Sequence, residues 1–443
     1  MKIHLHRSAS GNGLVIALIF TAVLGMSLIS YLDLVRHQNR MNFRSLAWNH
    51  GMALAESGVE EAMAHLNFNG TNGLATQGWT ATNSKFTVTR QLSNGYYVVT
   101  IQPTANNMPL IESDGYSELP LVLSSAQGPM FAAAGVGLAS TPKYVKRSIR
   151  VTTTNAALFA KSLVAKNQID LRGNNMYSDS FDSTTNTAST GGLYDPAKRR
   201  ANGDVATNSG LTNSLNVGNA DIYGKVATGP GGSVSIGNNG YVGDIAWNSN
   251  PANRGRIQPG HYVDDMNVAF PKITPPFTSG ATPTPVGSDY IIGSGNWYFG
   301  SLHVSGTQKI TITGDAVIYF ADDFTMTGQS ELIIAPGATL KIYCAGDYTL
   351  TGLGVFNQAG QAINAQFYGT ETCGSVALGG NGNLTGVIYA PNADFTTVGN
   401  GDIYGAVVCE TAQLTGNGNF HYDESLGRLG PRRAYVPVDW KEL

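Results

Sequence analysis

Two pairs of adjacent carboxylates, Asp264–Asp265 and Asp322–Asp323, are the residues of this chain whose type suits bond-breaking chemistry. Carboxylates flanking a glycosidic bond can protonate the leaving group and activate water. Neighbours in a strand point to opposite faces, so at most one of each pair would line a cleft. Basic partners are scarce: from Ile291 to Phe420 two bases, Lys309 and Lys341, stand against nine acids. These carboxylates read more readily as turn or surface acids. The phrases GHYVDD and FHYDES set His261 and His421 beside acids, where a metal could bind. The competing and favoured reading is that they cap the end of a strand stack. Ca2+ held in Asn/Asp turns is the one cofactor alternative, although the nine-residue Ca2+ repeat is absent. Cys344 and Cys409 fall in β segments and Cys373 near a turn, and the odd count favours free buried thiols over a disulfide framework. With no nucleophile motif, phosphate loop or nucleotide fingerprint, no catalytic or metal-binding residue is assigned and no enzyme activity is expected.

Composition restricts the classes further. The 443 residues include 54 Gly, are 42% hydrophobic and only 13% charged, and carry a net charge of −3. That much apolar content with little net charge can bury a core, which excludes disorder. It also lacks the Ala/Glu/Lys/Leu/Arg bias of coiled coils. A phosphate-backbone partner needs clustered Lys and Arg, so nucleic acid is not an expected partner.

The elements that must position any site begin with a helix. Leu14 to Leu32 carry no formal charge, and at ~1.5 Å per residue this run spans ~28 Å, enough for a bilayer core. It continues without Pro into an amphipathic stretch ending at Leu66. There Met41, Ser45, Trp48, Met52, Ala55, Val59, Ala62 and Leu66 fall on one face. One helix from Leu14 to Leu66 would be ~80 Å long. Residues 85–101, with Ser84 included, then alternate around an Asn94–Gly95 turn, a hairpin signal. PLIESDGYSE and KYVKRSIRVTTT supply a second strand pair, separated by an Ala/Gly-rich interruption at Phe131 to Ser140. Lys143, Lys146, Arg147 and Arg150 read as a solvated strand face.

From about Ala156 a theme of alternating apolar residues closed by a Gly/Asn turn recurs. Its glycines fall at Gly328, Gly352, Gly379, Gly399 and Gly416, steps of 24, 27, 20 and 17. Steps of this size signal stacked repeats. With two short strands per repeat and no helical pattern between them, the expectation is a parallel β-solenoid. Aligning Ala316, Ile318 and Phe320 with Leu340, Ile342 and Cys344 places those residues inward and Tyr319 and Tyr343 outward. The segment 271–288 holds five Pro and would cross from one part of the stack to another or separate two domains. The duplicated phrases DIYGKV at Asp221 and DIYGAV at Asp402 favour one domain with an inserted loop.

The leader MKIHLHRSASGNG, ending in Gly13 and followed by an unbroken helix, resembles the class III signal of type IV pilins and pseudopilins. The resemblance implies cleavage by a prepilin peptidase after Gly13 and N-methylation of Leu14. The fifth mature position is Leu18 where most major pilins carry Glu. That departure, with the AESGVEEAMAHL block from Ala55, resembles PilX-type minor pilins and tip pseudopilins of type II secretion. The stretch from Gly386 to Glu424 resembles a C-terminal β-helical domain of unknown function found after pilin-like N-termini.

Together these readings give a mainly β chain with one long N-terminal α-helix. The expected parts are a leader at 1–13, a helix at 14–67, a small antiparallel domain at 68–155, a solenoid at 156–430 and a C-terminal strand at 431–443. Leu14, Val15, Ile16, Leu18, Ile19, Phe20, Leu24 and Leu28 would anchor the chain in the inner membrane and pack the filament. The expected function is a minor pilin or pseudopilin-like subunit of a type IV pilus-type filament whose exported solenoid head serves adhesion or surface contact. Its partners would be other pilin subunits, the assembly machinery, prepilin peptidase and a surface or glycan ligand. The alternatives are a membrane-anchored polysaccharide-active enzyme and an anchored, self-polymerising solenoid.

Overall fold

The computed structural model describes residues 10–69, 71–104, 108–119, 144–173, 176–358 and 360–443. Most of the leader, the interruption at Phe131 to Ser140 and Lys143 lie outside the described residues. The chain divides into two units, residues 1–155 with 434–443 and residues 156–433.

The first unit is built on α1 (Ser10–Asn69). Of the described residues it holds the one helix long and apolar enough to cross a membrane. Its second half packs on an antiparallel sheet of β1 (Thr80–Thr82), β2 (Lys85–Leu92), β3 (Gly95–Gln102), β4 (Leu110–Glu118), β5 (Tyr144–Ala157) and the C-terminal strand Arg432–Glu442. Alternation along β3 and β4 turns Tyr97, Val99, Ile101 and Ile111 onto the helix, where Ala55, Val59, Ala62 and Leu66 meet them.

Contact between helix and sheet depends on missing side chains. A Cβ on Gly115 would lie 2.1 Å from the Gly51 carbonyl oxygen and 2.5 Å from the Ala55 nitrogen, and one on Gly58 would lie 2.2 Å from Ser113 Oγ. The expected helix stripe therefore needs correction. Met41, Ser45 and Trp48 are exposed, and the packed face runs through Ala47, Gly51, Leu54, Ala55, Gly58, Val59, Ala62 and Leu66. A hydrophobic count could not see it, because glycine supplies closeness instead of apolar area.

The hairpin turn also shifts by one residue. Leu92 pairs with Gly95, so the loop is Ser93–Asn94. Gly95 belongs to the strand, paired with Leu92 and Ser117, and a Cβ there would meet the Tyr116 carbonyl oxygen at 2.2 Å and Leu54 at 2.9 Å. Glu61 ties the helix to the sheet, accepting hydrogen bonds from Arg90 Nε at 2.8 Å and Tyr97 Oη at 2.8 Å. Burial works against the Glu61 carboxylate, but those hydrogen bonds outweigh it and hold its pKa below the usual range. The basic cluster is used on the sheet: Lys146 pairs with Asp114, Arg150 with Glu112 and Arg147 with Glu442.

In the second unit, from Tyr290 to Ser375, every third strand pairs in parallel, so each repeat holds three strands and not the expected two. Short runs such as Lys309–Ile312 and Glu331–Ile334 are the strands that the two-strand reading lacked. Side chains stack in columns. Ile310, Leu332, Val355, Leu384, Ile403 and Phe420 form one buried column. Ala316, Ile318 and Phe320 pair with Leu340, Ile342 and Cys344, all buried. Each Val, Leu, Ile or Phe among them contributes about 1.5–3 kcal/mol by leaving water. Cys344, Cys373 and Cys409 are free and buried, and burial pushes the thiols up, Cys373 to about 12.

The order of the strands in space differs from their order in the chain. Along the ladders, residues 290–423 come first and residues 163–263 follow. The strand Ile403–Leu414 pairs in parallel with Leu163–Ala165 and Ile169–Leu171, and Phe420–Asp423 pairs with Tyr177–Phe181. Residues 264–289 must therefore carry the chain from one end of the ladders back to the other. Met266 N donates to Thr228 O, Val268 N to Asn208 Oδ1, Tyr389 Oη to Pro271 O and Tyr298 N to Ala281 O. These contacts trace an extended strap. Its prolines cost no ladder hydrogen bond, because the strap runs outside the ladders.

The strap covers a tyrosine column. Tyr298, Tyr319, Tyr343, Tyr368 and Tyr389 follow one another in register on the outward side of one ladder. Tyr319 and Tyr343 do point away from the inward residues, but Tyr319 is buried and Tyr343 is half-buried. Phe277 of the strap packs edge-on against Tyr319, and Phe270 and Ile273 pack on the cluster that includes Tyr343, Tyr368 and Tyr389. An outward position is thus not an exposed one here.

Gly115→Ala should lower the melting temperature measured by circular dichroism in detergent, with a loss of about 2–4 kcal/mol from overpacking against α1. Gly300→Ala, whose Cβ meets nothing within 4 Å, should leave melting unchanged.

Candidate functional site

The eight helix residues assigned to anchoring, Leu14, Val15, Ile16, Leu18, Ile19, Phe20, Leu24 and Leu28, are each more than half exposed along α1. Gly13 and Leu14 lie within the same continuous helix. An apolar helix surface left uncovered over this length is costly in water.

The carboxylate pairs do not form a shared site. Asp264 and Asp265 are exposed at the start of the strap. Asp322 and Asp323 are exposed at a bend, where Asp323 Oδ1 accepts the backbone N–H of Asp347 at 2.9 Å. Among the described residues no group of three His, Cys, Asp or Glu side chains is arranged to hold a metal ion.

His421 is the feature that the structure redefines. The expected end cap is not what it forms: its strand, Phe420–Asp423, lies between Ile403–Leu414 and Tyr177–Phe181, inside the stack at the junction of the two chain halves. His421 and Asp179 are 1% and 0% exposed, and His421 Nδ1 lies 2.7 Å from Asp179 Oδ1. Tyr194 Oη donates to Asp179 Oδ2 at 2.6 Å. On the other side, His421 Nε2 is 3.8 Å from Asp402 Oδ2, to which Tyr404 Oη donates at 3.3 Å. Tyr194 and Tyr404 rings lie 3.8 and 4.8 Å from the imidazole, and Tyr177 meets its edge at 5.5 Å.

More polar ties surround this pair. Asp423 accepts from the Ser183 hydroxyl at 2.7 Å, Arg428 pairs with Asp182 at 2.6 Å and Arg200 with Glu424 at 3.1 Å. Every one of these contacts joins a residue of the C-terminal half to one of the N-terminal half. The cluster is a joint, and its buried groups are hydrogen-bonded as low dielectric requires. Burial disfavours the charged ring of His421, but Asp179 and Asp402 outweigh it and raise its pKa above the ordinary value. Burial likewise opposes the Asp402 carboxylate, yet the His421 hydrogen bond and the Asn419 amides hold its pKa low.

Beside the joint, Tyr404 pairs with His421 and Thr385 with Tyr404, while Phe356, Ile333, Thr311 and Ile291 follow one another in register on the neighbouring strands. Between Phe356 and Tyr404 lies a groove of about 330 Å3. Phe356, Leu353 and Thr385 line it from the strand side, Leu193 and Tyr194 from the loop, and Glu331, Asn381 and Asn383 supply polar groups. Gly360 allows the loops to close together, since a Cβ there would lie 2.7 Å from Leu193 Cδ2.

Sequence reasoning found His421 but not Asp179, Tyr194 or the groove. Asp402 and Tyr404 carried a signal in the duplicated phrase DIYGAV. Tyr194 sits in a loop with no periodicity, and Asp179 is far from His421 in the chain.

A family model described as a domain of unknown function, DUF7305, matches residues 263–429, which include the whole strap and the C-terminal half of the ladders. No curated protein matches the chain. Among solved structures, the crystal structure of the competence-associated pilin ComZ from Thermus thermophilus matches 89% of this chain and 97% of that chain, at 13% identity and a TM-score of 0.24. Likeness at that level carries no argument about this chain.

The joint makes stability depend on pH. A raised His pKa adds stability that is complete below its ordinary value of ~6.5 and is lost as pH rises through the folded-state value. The lowered Asp402 pKa adds stability above the ordinary ~3.9 that is lost as pH falls through its folded value. The joint should be strongest between about pH 4 and 6.5. His421→Gln should cost about 3–5 kcal/mol by breaking a buried pair and should flatten the decline in calorimetric melting temperature above that range.

Proposed function

We propose that the chain is a type IV pilin-like subunit, a minor pilin or pseudopilin. It is anchored in the bacterial inner membrane by one pass of α1 and exports a β-solenoid head for surface contact or adhesion. The observation that carries this reading is the division of α1. One unbroken helix leaves a membrane-length apolar stretch exposed and then packs by glycine contacts onto an antiparallel sheet. An anchor that only tethered a domain would not need a rigid continuation into that domain's core. The in-register parallel pairing of every third strand supports the solenoid reading of the head.

Within this proposal Gly13 and Leu14 mark the point cut by prepilin peptidase, and Leu14 to Leu28 pack against lipid first and neighbouring subunits later. The head acts by binding and not by catalysis, with no metal or other cofactor. The exposed carboxylates and their backbone role at Asp323 support that part of the reading.

N-terminal sequencing of protein extracted from membranes of cells containing prepilin peptidase should begin at Leu14. A sequence beginning at Met1 would overturn the processing step. Leu18→Arg with Leu24→Arg should shift the chain from the membrane to the soluble or degraded fraction, since each charge costs about 2.5–3.5 kcal/mol in a spanning helix.

A further inference from the structure

We propose that the groove between Phe356 and Tyr404 binds an uncharged oligosaccharide. This names the ligand class for the surface-contact role above and rests on the solenoid head being displayed. Phe356 and Leu353 are each 53% exposed, so an aromatic face and an aliphatic side chain stand open to solvent where the inward columns hide theirs. Tyr194 and Tyr404 close the other side of the same 330 Å3 space. A sugar ring presents an apolar face and a polar rim, which suits rings flanked by short polar groups.

The rim donors are held in place. Asn383 Oδ1 accepts the backbone N–H of Asp402 at 2.9 Å, and Asn381 Oδ1 accepts from Asn400 Nδ2 at 3.2 Å. With each carboxamide oxygen engaged, the NH2 groups are left as donors to ligand hydroxyl or carbonyl oxygens. The Thr385 hydroxyl lies in the same lining. The site carries no net charge, because its one acid, Glu331, pairs with Lys309 at 3.2 Å.

Other ligand classes fit less well. A peptide that binds by adding a strand needs an open strand edge, but Gly354–Asn357 pairs on one side with Glu331–Ile334 and on the other with the strand beginning at Asn383. A nucleic acid needs several free cations. A lipid chain would leave the NH2 groups of Asn381 and Asn383 unsatisfied.

The test is isothermal titration of the full chain in detergent with chitotetraose and cellotetraose, with tetragalacturonate as the charged counterpart. At least one neutral tetraose should bind saturably, and Phe356→Ala and Asn383→Ala should each weaken that binding tenfold or more at unchanged melting temperature. Phe356→Tyr, which keeps the ring, should retain it and guards against a folding defect. Absence of saturable binding by both neutral probes up to about 10 mM, undiminished binding by Phe356→Ala, or preference for tetragalacturonate would overturn the proposal. No filament or processing is needed for this readout, so its failure leaves the anchoring proposal standing, and a Met1 N-terminus leaves the binding result standing.

Discussion

The joint between the strand Ile403–Leu414 with Phe420–Asp423 and the strands from Leu163 to Phe181 is the contact on which the second unit depends. Parallel strands gain their hydrogen bonds only from neighbours, and an open parallel edge leaves rows of N–H and C=O groups unpaired. Each half of this chain would present such an edge. Bringing the last-made strands onto the first-made ones removes both edges at once and lets Val407 stack on Leu163 and Leu414 on Leu171. The polar groups around His421 add direction to this closure, since a slip in register would separate the imidazole from Asp179 and leave two buried groups unsatisfied.

Closure at the joint also explains the strap. If the two halves stack in the order 290–423 and then 163–263, the chain must return along the outside, and residues 264–289 do so. The return path then becomes part of the packing. The tyrosine column from Tyr298 to Tyr389 would be a large exposed aromatic stripe on an uncovered stack, and Phe270, Ile273 and Phe277 cover it. The strap and the joint therefore act together, one holding the ends and the other the middle. The groove lies beside the joint because the loop bearing Leu193 and Tyr194 crosses from the N-terminal half to meet Phe356 and Tyr404 of the C-terminal half.

Much of the pattern was legible along the chain. The apolar run from Leu14, the alternation in β3 and β4, and the pairing of Ala316, Ile318 and Phe320 with Leu340, Ile342 and Cys344 follow from local periodicity, which a sequence displays directly. The misreadings share a cause. Met41, Ser45 and Trp48 continue the helical period but stay exposed while Ala47 and Gly51 are buried, and nothing local says which face of the helix a partner will cover. Gly51, Gly58, Gly95 and Gly115 act by letting backbones approach, which is visible only when both surfaces are known. The third strand of each repeat, as at Lys309–Ile312 and Glu331–Ile334, sits at the short limit of what periodicity resolves.

What the sequence determined by itself was the kind of surface each segment presents: a bare apolar helix, alternating strands, glycine turns at repeating steps, and a proline-rich segment unsuited to a ladder. What tertiary structure decided was which surfaces meet. Periodicity is a property of neighbours in the chain, whereas the His421–Asp179 contact, the covering of the tyrosines and the groove wall at Tyr194 join residues far apart in it. Such contacts are selected by the free energy of closing exposed strand edges and apolar columns, and that quantity exists only once the two halves of the stack are placed together.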